Sequence, residues 1–224
     1  AFRPKLEIAY TVPAFVPLVS TASIQAWLSA KRLTLSDGDP VSAWTDLSGN
    51  GYHGVGTGVL YKESVLNGRP GVHFDGVDDF VTLLNSAGMA IDNTCTMFFV
   101  YRSIKGTRQC LLGRNDTAGA ANIGIMERVG TREATIPGVF VAQTATVNNA
   151  PVPEVLCYRR AGNQAGDSAF WVNGELQTLQ REATNAYTGS ATVLIGKRSD
   201  AAPQTFGGYL GEVLIFDGAL SDED

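Results

Sequence analysis

The sequence predicts an all-β protein built as a sandwich of antiparallel sheets. Short apolar or alternating segments recur along the chain, and glycine, asparagine and aspartate separate them, which is typical of strands joined by tight turns. No segment sustains the periodicity of a helix. The chain has 224 residues, of which 25 are glycine and 17% are charged. It is therefore long enough to bury a core without disulfides or metals.

The individual strands follow from this pattern. The segment "TMFFVYRSI" (96–104) is a near-continuous apolar run, as expected of a strand buried on both faces. In "AFWVNGELQT" (169–178), Asn173 and Gly174 both tolerate positive φ, so a hairpin with a type I′ turn is predicted. The closing "LSDED" resembles a helix start, with Ser221 as N-cap. The other predicted strands are 41–45, 70–74, 79–84, 108–114, 122–128, 137–142, 153–160, 191–196 and 208–216.

Residues 1–20 are predicted to be separate from the main domain. The segment 1–12 alternates like one strand, and the proline-spaced segment 13–20 has the composition of a linker. An isolated strand is not stable, so this one either adds to the edge of this domain or closes a preceding domain. We favour the remnant of a preceding domain. A single domain is predicted over 21–224, with its C-terminus truncated.

Charge and hydropathy weigh against two classes of partner. The formal net charge is −5 and no basic block occurs, whereas a nucleic-acid-binding domain normally has a clustered basic face. The longest apolar stretch, 8–19, is too short to span a bilayer and is interrupted by Pro13 and Pro17. We therefore expect neither nucleic-acid binding nor membrane insertion.

The three cysteines do not indicate a metal site. Cys95, Cys110 and Cys157 lack the C-x-x-C spacing of zinc ligands, and each lies in an apolar, strand-like run. We expect them to be small buried hydrophobic residues. A single Cys110–Cys157 disulfide is left open as an alternative.

The sequence shows no catalytic signature. The segment "GNGYHG" (49–54) fits the spacing of a dinucleotide-binding motif, but the following "VGTGVLY" cannot open a helix, so successive tight turns are predicted. The two histidines, His53 and His73, lack a nearby second metal ligand, and no G-x-S-x-G nucleophile motif occurs. Paired carboxylates suited to glycoside hydrolysis are also missing from any one strand face. Whether the protein is an enzyme is left open, with the pattern favouring a non-catalytic protein.

Eight segments in one order resemble a known family. They are "IQAWLSA" (24–30), "VSAWTDLSGNGYHG" (41–54), "NGRPGVHFDGVDDFV" (67–81), "MFFVYR" (97–102), "LLGR" (111–114), "FWVNGEL" (170–176), "VLIGKR" (193–198) and "LGEVLIFDGALSDED" (210–224). Together they resemble the laminin-G-like members of the concanavalin A-like lectin/glucanase superfamily. The resemblance implies a jelly-roll β-sandwich of two antiparallel sheets. Where relatives usually carry an acid shortly after the first tryptophan, this chain has Ser29.

The resemblance also implies a candidate metal site in "FDGVDDFVTL" (74–83), since many members of the superfamily hold a structural calcium near such a loop. Calcium takes six to eight oxygen ligands, mostly carboxylates and carbonyls. Asp75 and Asp78 would supply two, together with carbonyls of 76–80 and with Asn50 or Glu212 from elsewhere. The alternative is an Asp-Gly turn with hydrogen bonds to its own backbone, which leaves Asp78 and Asp79 in water.

The resemblance further implies a non-catalytic, lectin-like module that binds carbohydrate for a larger secreted or cell-surface protein. Trp171, beside the predicted hairpin turn, is the candidate sugar-binding residue, while Trp27 and Trp44 are expected in the core or at its rim. Two alternatives stay open. One is a glycoside hydrolase or polysaccharide lyase on the same fold, with a set such as Glu127, Arg128 and Tyr158 converging on one face. The other is a structural or adhesion domain without a glycan ligand.

Overall fold

The computed structural model describes residues 24–91, 94–115, 124–128, 131–136, 139–144, 152–182, 184, 191–198 and 204–221. The predicted segment 1–20 lies outside these ranges. Within them the chain forms two short 3₁₀ helices, Ala30–Arg32 and Ser86–Gly88, and a series of strands. The strands are β1 Ile24–Ser29, β2 Gly54–Thr57, β3 Leu60–Leu66, β4 Arg69–Asp75, β5 Phe80–Leu83, β6 Cys95–Ser103, β7 Gln109–Asn115, β8 Gly124–Arg128, β9 Thr131–Ile136, β10 Val139–Thr144, β11 Glu154–Arg160, β12 Ser168–Val172, β13 Glu175–Leu176, β14 Leu179–Glu182, β15 Thr192–Ile195, β16 Lys197–Arg198, β17 Gln204–Thr205 and β18 Gly207–Asp217.

Two large antiparallel sheets face each other, which confirms the predicted all-β sandwich. The first sheet has the order β13-β12-β11-β6-β18-β4-β3. Its long strand β18 pairs with β6 on one side, and on the other side with β4 and then with β1. The second sheet has the order β14-β10-β9-β8-β7-β15-β5-β2, and β16 and β17 form a separate pair.

The core lies between the sheets because alternate residues of each strand point inward. In the first sheet Phe74, Phe99 and Phe170 are fully buried, and Ile125 and Ile195 meet them from the second sheet. Each such side chain contributes about 1.5–3 kcal/mol of transfer free energy. Trp44 also lies in the core, as expected, whereas Trp27 is half-buried on the other face of the first sheet.

The turn chemistry is largely as the sequence predicts. Asn173 and Gly174 have φ of 53° and 83° between β12 and β13, which confirms the type I′ prediction. The segment 49–54 forms turns rather than a helix start, with Gly49 and Gly51 at φ of 89° and 80°. Residues 219–221 are not helical, and the remainder of the predicted C-terminal helix lies outside the described residues.

One predicted strand is wrong and several strands escape prediction. Residues 41–45 form no strand because their backbone hydrogen bonds do not continue along one partner strand. The Val41 N–H donates to the Val59 carbonyl, whereas Trp44 pairs with Gly54 in an isolated bridge. The missed strands are mostly short or polar, so neither apolar runs nor clear alternation mark them. They include β2, β9 and β14, whose sequences are "GVGT", "TREATI" and "LQRE".

The cysteines are free. Cys95 and Cys110 are fully buried, which confirms the expectation for these two, whereas Cys157 is half-buried on the outer surface. The alternative of a Cys110–Cys157 disulfide is wrong because the two residues belong to different sheets, on β7 and β11. Burial raises the pKa of the Cys157 thiol to about 12, so this thiol is unreactive at neutral pH.

Among the described residues, no helix has both the length and the apolar character that crossing a membrane requires.

Candidate binding face

A row of apolar side chains crosses the outer face of the first sheet, the face that points away from the core. Strand register places Trp171, Cys157, Phe98, Leu214 and Trp27 directly opposite one another on five adjacent strands. Their neighbours along each strand point into the core. Because successive side chains of a strand point to opposite faces of the sheet, this row faces away from the core. We call this surface the outer face of the first sheet.

The chain itself covers one end of the row. Phe98 packs edge-on against Phe216 at 5.9 Å between ring centroids, and both belong to a second hydrophobic cluster separate from the core. The chain after β18 then crosses the sheet, where the Leu220 N–H donates to Thr96 Oγ1 and Arg159 Nη1 donates to the Leu220 carbonyl, both at 3.0 Å. The Trp171 end stays half-buried.

Trp171 lines a surface depression of about 310 Å³. The Arg159 guanidinium stands over the indole with its carbon 4.7 Å from the ring centroid, and this contact fixes the ring against the sheet. The depression is otherwise lined mostly by apolar or small groups, among them Phe98, Val155 and Leu220. An aromatic wall beside a cationic group is suited to a ligand with both apolar and polar faces.

A second, larger depression of about 450 Å³ adjoins the first. Val155, which is 42% exposed, lines both, and the Asn173–Gly174 turn contributes one residue to each. The larger depression has exposed cations at its rim, Lys31 and Arg69. Its lining is Lys31, Leu66, Asn67, Arg69, Pro70, Val100, Pro153, Glu154, Val155, Asn173, Gly211 and Glu212.

The carboxylate that faces the larger depression, that of Glu212, is held by the protein. Trp27 Nε1 donates to Glu212 Oε2 at 3.0 Å, and Ser29 Oγ donates to Oε1 at 2.6 Å. Burial raises the pKa of Glu212, and the two donors together with the nearby charges of Lys31 and Arg32 offset part of this effect. Ser29 thus donates a hydrogen bond to Glu212, at the position where the resemblance to laminin-G-like proteins leads one to expect an acid.

Glu154 belongs to a buried ionic cluster between the sheets. Its Oε2 accepts from Arg132 Nη2 and, at 3.1 Å, from the Tyr101 hydroxyl, while Glu127 Oε1 lies 3.8 Å from Arg132 Nη2. Gln109 Nε2 also donates to Glu127 at 3.2 Å. Burial raises the pKa of Glu127 to about 7, against the opposing charge of Arg132. These four ionisable residues are each at most 7% exposed, so the cluster belongs to the interior.

Glu127 and Tyr158, two of the three residues considered as a catalytic set from the sequence, do not face a common site. Glu127 lies in the ionic cluster, whereas Tyr158 lies in the core with its hydroxyl 3.5 Å from Ser168 Oγ. The side chain of Arg128 lies outside the described residues. The partner of Glu127 is Arg132, directly opposite it in the β8–β9 hairpin. Sequence reasoning missed this pair because β9 was not predicted, although the closely spaced opposite charges in "MERVGTRE" are a usable signal.

The acidic loop between β4 and β5 forms a compact turn. Oxygens of Asp75, Asp78 and Asp79 lie within 4.8 Å of one another. Asp75 Oδ1 accepts from the N–H groups of Val77 and Asp78, and Asp79 Oδ2 accepts from the N–H of Asp75 at 2.8 Å. Asp79 is 4% exposed, so the expectation that it stands in water is wrong. Burial, with Asp75 and Asp78 nearby, raises the pKa of Asp79.

Two predicted metal ligands lie elsewhere. The side-chain amide of Asn50 donates to the carbonyls of Ile24 and Gln25, and Glu212 is bound to β1. The carbonyl of Gly76, in the candidate loop, accepts from the Lys105 ammonium and from Thr205 Oγ1. Within the described residues, the structure therefore brings together three carboxylates but not the complete predicted ligand set. Calcium at Asp75 and Asp78 stays a prediction of the resemblance, beside the open alternative of a turn without a metal.

The histidines are separate from both depressions. His53 Nδ1 accepts from the N–H of Asp46 at 3.1 Å, in the turn-rich segment before β2. His73 stacks on Tyr209 with ring centroids 5.2 Å apart. His73 also lies near enough to the acidic loop for its charge to lower the pKa of Asp75 and to offset part of the rise in the pKa of Asp79.

No protein-family model and no curated protein matches the sequence, but solved structures share the fold. Domain 4 of AbnA, an extracellular arabinanase of Geobacillus stearothermophilus solved with arabinotriose, is 16% identical with a TM-score of 0.62. The match covers 89% of this chain and 94% of that one.

Two sialidase structures show the same likeness. Trypanosoma rangeli sialidase is 16% identical with a TM-score of 0.61, over 91% of this chain and 32% of that one. The CBM40 domain of a Ruminococcus gnavus IT-sialidase, bound to α2,3-sialyllactose, is 16% identical with a TM-score of 0.52, over 73% of this chain and 94% of that one. This chain thus spans nearly all of the arabinanase domain and about a third of the trypanosomal sialidase. The comparisons support the β-sandwich fold.

Proposed function

We propose that this protein is a non-catalytic carbohydrate-binding module, and that it binds its ligand on the outer face of the first sheet. The observation that carries the proposal is the pair of adjoining depressions on that face, with Trp171 in one wall and polar donors around the rim. Carbohydrates present apolar C–H faces between rings of hydroxyl groups, so they need an aromatic wall together with hydrogen-bond partners.

Trp171 is the central residue of the proposed site. Its indole is rigid because Arg159 stacks on it and because strand pairing with Cys157 and Leu176 fixes its backbone. A ring that is already ordered loses little conformational entropy when a ligand binds. Leu176, directly opposite on β13 and 65% exposed, extends the apolar surface beyond Trp171.

The solved structures support the ligand class without identifying the ligand. The arabinanase domain was solved with arabinotriose and the CBM40 domain with sialyllactose. Fold likeness alone does not transfer a ligand. By the same analogy we propose that the module belongs to a larger secreted or cell-surface protein. We retain the more specific laminin-G-like assignment on the eight sequence segments.

Glycan binding can be tested with purified protein and three single-residue variants. A glycan array identifies ligands, and isothermal titration then compares wild type with Trp171→Ala, Trp171→Phe and the control Leu84→Ala, which removes an exposed side chain next to the second sheet. We expect Trp171→Ala to weaken binding by about 2 kcal/mol, roughly thirtyfold, while Trp171→Phe retains most affinity and Leu84→Ala all of it. Unchanged affinity in folded Trp171→Ala would overturn the proposed site.

The enzyme alternative makes a different prediction for the same ligands. Of the two acids that line the larger depression, Glu154 turns its carboxylate into the interior ionic cluster and Glu212 is held by donors from β1. Hydrolysis needs one carboxyl group to protonate the leaving group and another to attack or activate water. We therefore expect no release of reducing sugar or unsaturated product from any glycan that binds. Product release that is lost in Glu212→Gln would establish the enzyme instead.

A further inference from the structure

We propose that the ligand is an acidic glycan, and that the larger depression binds the carboxylate of a uronic or other sugar acid through Lys31 and Arg69. This inference rests on the proposed carbohydrate-binding function and specifies the chemical class of its ligand. Some polar groups of the depression already have hydrogen-bond partners within the protein, and others do not.

The acceptors of the depression are largely occupied. Both oxygens of Glu212 receive donors from β1, namely Trp27 Nε1 and Ser29 Oγ. Glu154 is 7% exposed and its charge is offset by Arg132. Asn173 Oδ1 accepts from the N–H of Val155 at 2.9 Å. Among the described side chains that line the depression, the exposed Asn67 amide oxygen is the acceptor without a protein donor, so a ligand that offers mainly hydroxyl donors finds few partners here.

The donors, in contrast, are available. Among the described residues, the Lys31 ammonium and the Arg69 guanidinium make no hydrogen bond or salt bridge, and both side chains are exposed at the rim. The Asn173 side chain has its amide nitrogen left as a donor, because only its oxygen is engaged. The depression thus presents cationic and amide donors, which complement an anionic acceptor.

The distribution of charge supports the same conclusion. The chain is acidic, with a formal net charge of −5, yet the two depressions are lined by three cations, Lys31, Arg69 and Arg159, whereas the one carboxylate that faces them, that of Glu212, is held by donors from β1. Arginine can receive a carboxylate in a bidentate geometry, and lysine adds a mobile positive charge. A sugar ring against Trp171 with its acid group in the larger depression would use both parts of the face.

The test compares acidic glycans with neutral counterparts of the same backbone. Polygalacturonate and polymannuronate are paired with their fully methyl-esterified forms, and α2,3-sialyllactose is paired with lactose. Titrations use wild type, Lys31→Gln/Arg69→Gln and the matched control Lys62→Gln/Arg181→Gln, which removes the same charge from outside the depressions. Circular dichroism checks that each variant is folded.

We expect wild type to bind at least one acidic glycan about tenfold or more tightly than its neutral counterpart, since a hydrogen bond to a charged group contributes about 1.5–3 kcal/mol. The preference should disappear in Lys31→Gln/Arg69→Gln, persist in the control and weaken with salt. Equal or tighter binding of neutral glycans, unaffected by the double substitution, would overturn the acidic class and leave carbohydrate binding intact. Absence of binding to every glycan on the array would overturn both.

Discussion

The outer faces of the two large sheets differ in how far the protein buries them. On the second sheet, register places Cys110, Met126, Glu133 and Gln143 in one outward-facing row, and none is more than 8% exposed. On the first sheet, the corresponding row through Trp171 and Phe98 is half-buried and borders two depressions. Within the described residues, the row on the first sheet is thus the more accessible of these two rows to a ligand.

The polar groups of the two faces follow the same division. Glu133 is fully buried, and its two oxygens accept from Arg108 Nε at 2.8 Å and from Gln143 Nε2 at 3.2 Å. A buried carboxylate requires such partners because desolvation is costly. Beside the first sheet, Lys31 in the 3₁₀ helix after β1 and Arg69 at the start of β4 are exposed to water and need no internal partner. Polar groups with internal partners thus lie in the interior of the second sheet's outer row, and polar groups without them lie at the proposed binding face.

The largest loss of stability is expected where a buried charge loses the opposite charge that it pairs with. Arg132→Ala leaves Glu154 and Glu127 buried without their cation. We expect the free energy of unfolding to fall by about 3–5 kcal/mol, measured by urea denaturation near neutral pH. The control Lys62→Ala, in an exposed ion pair with Asp37, should change it by less than about 1 kcal/mol. A similar small loss in both variants would refute the structural role of the cluster.

The contrast between the two outer faces predicts unequal costs for equivalent truncations. Met126→Ala, on the second sheet, should lower the free energy of unfolding by about 2–5 kcal/mol because the site is fully buried. Trp171→Ala, on the first sheet, should cost less despite removing a larger side chain, because that face is half-exposed. Chemical denaturation of both variants under one condition measures the difference. Equal or reversed costs would break the comparison.

Stability should depend on pH through Glu127. Its pKa is raised from 4.5 to about 7 in the folded protein, so the folded state binds a proton that the unfolded state releases. This group therefore lowers stability as pH rises from about 4.5 to about 7, and the loss is complete above the folded pKa. The expected magnitude is about 3 kcal/mol.

The glutamine variant isolates this contribution. Glu127→Gln removes the titration, so its free energy of unfolding should vary less between pH 5 and 8 than that of wild type, measured by denaturation at a series of pH values. The exposed control Glu63→Gln should retain the wild-type dependence. If Glu127→Gln retained it as well, Glu127 would not be the titrating group.

The smallest effect is expected at the acidic loop. Asp75 and Asp79 already accept hydrogen bonds from the loop backbone, so we expect EDTA to leave the thermal midpoint unchanged and millimolar Ca²⁺ to move it little. A rise of several degrees that EDTA reverses and Asp78→Asn abolishes would instead establish the predicted calcium site, since a ligand of the native state stabilises it by mass action.

Local chemistry explains which parts of the fold the sequence could predict. The Asn173–Gly174 turn follows from the tolerance of both residues for positive φ, and the strand β6 follows from its continuous apolar run. Both signals lie in residues that are adjacent in the sequence, so the sequence alone predicts these elements. The strand β9 was missed because its alternation is polar: Arg132 points inward to an ionic cluster, where an apolar residue would normally mark a core position.

The candidate site could be predicted only in part for a related reason. Trp171 is predictable from its place beside the turn, but the row that joins it to Trp27 depends on the register of five strands that extend from β1 to β18 along the sequence. Register is set by the packing of the whole sheet rather than by local sequence. Likewise, the hydrogen bond between Ser29 and Glu212 joins residues at opposite ends of the domain.

The most direct test of the binding face is to map amide chemical shifts by NMR during titration with a glycan that the array identifies. We expect the largest changes in chemical shift on the outer face of the first sheet, around Trp171, Val155 and the Asn173–Gly174 turn. Smaller changes should extend towards Lys31 and Arg69. Shifts confined to the second sheet or to the loop at Asp75 would contradict it.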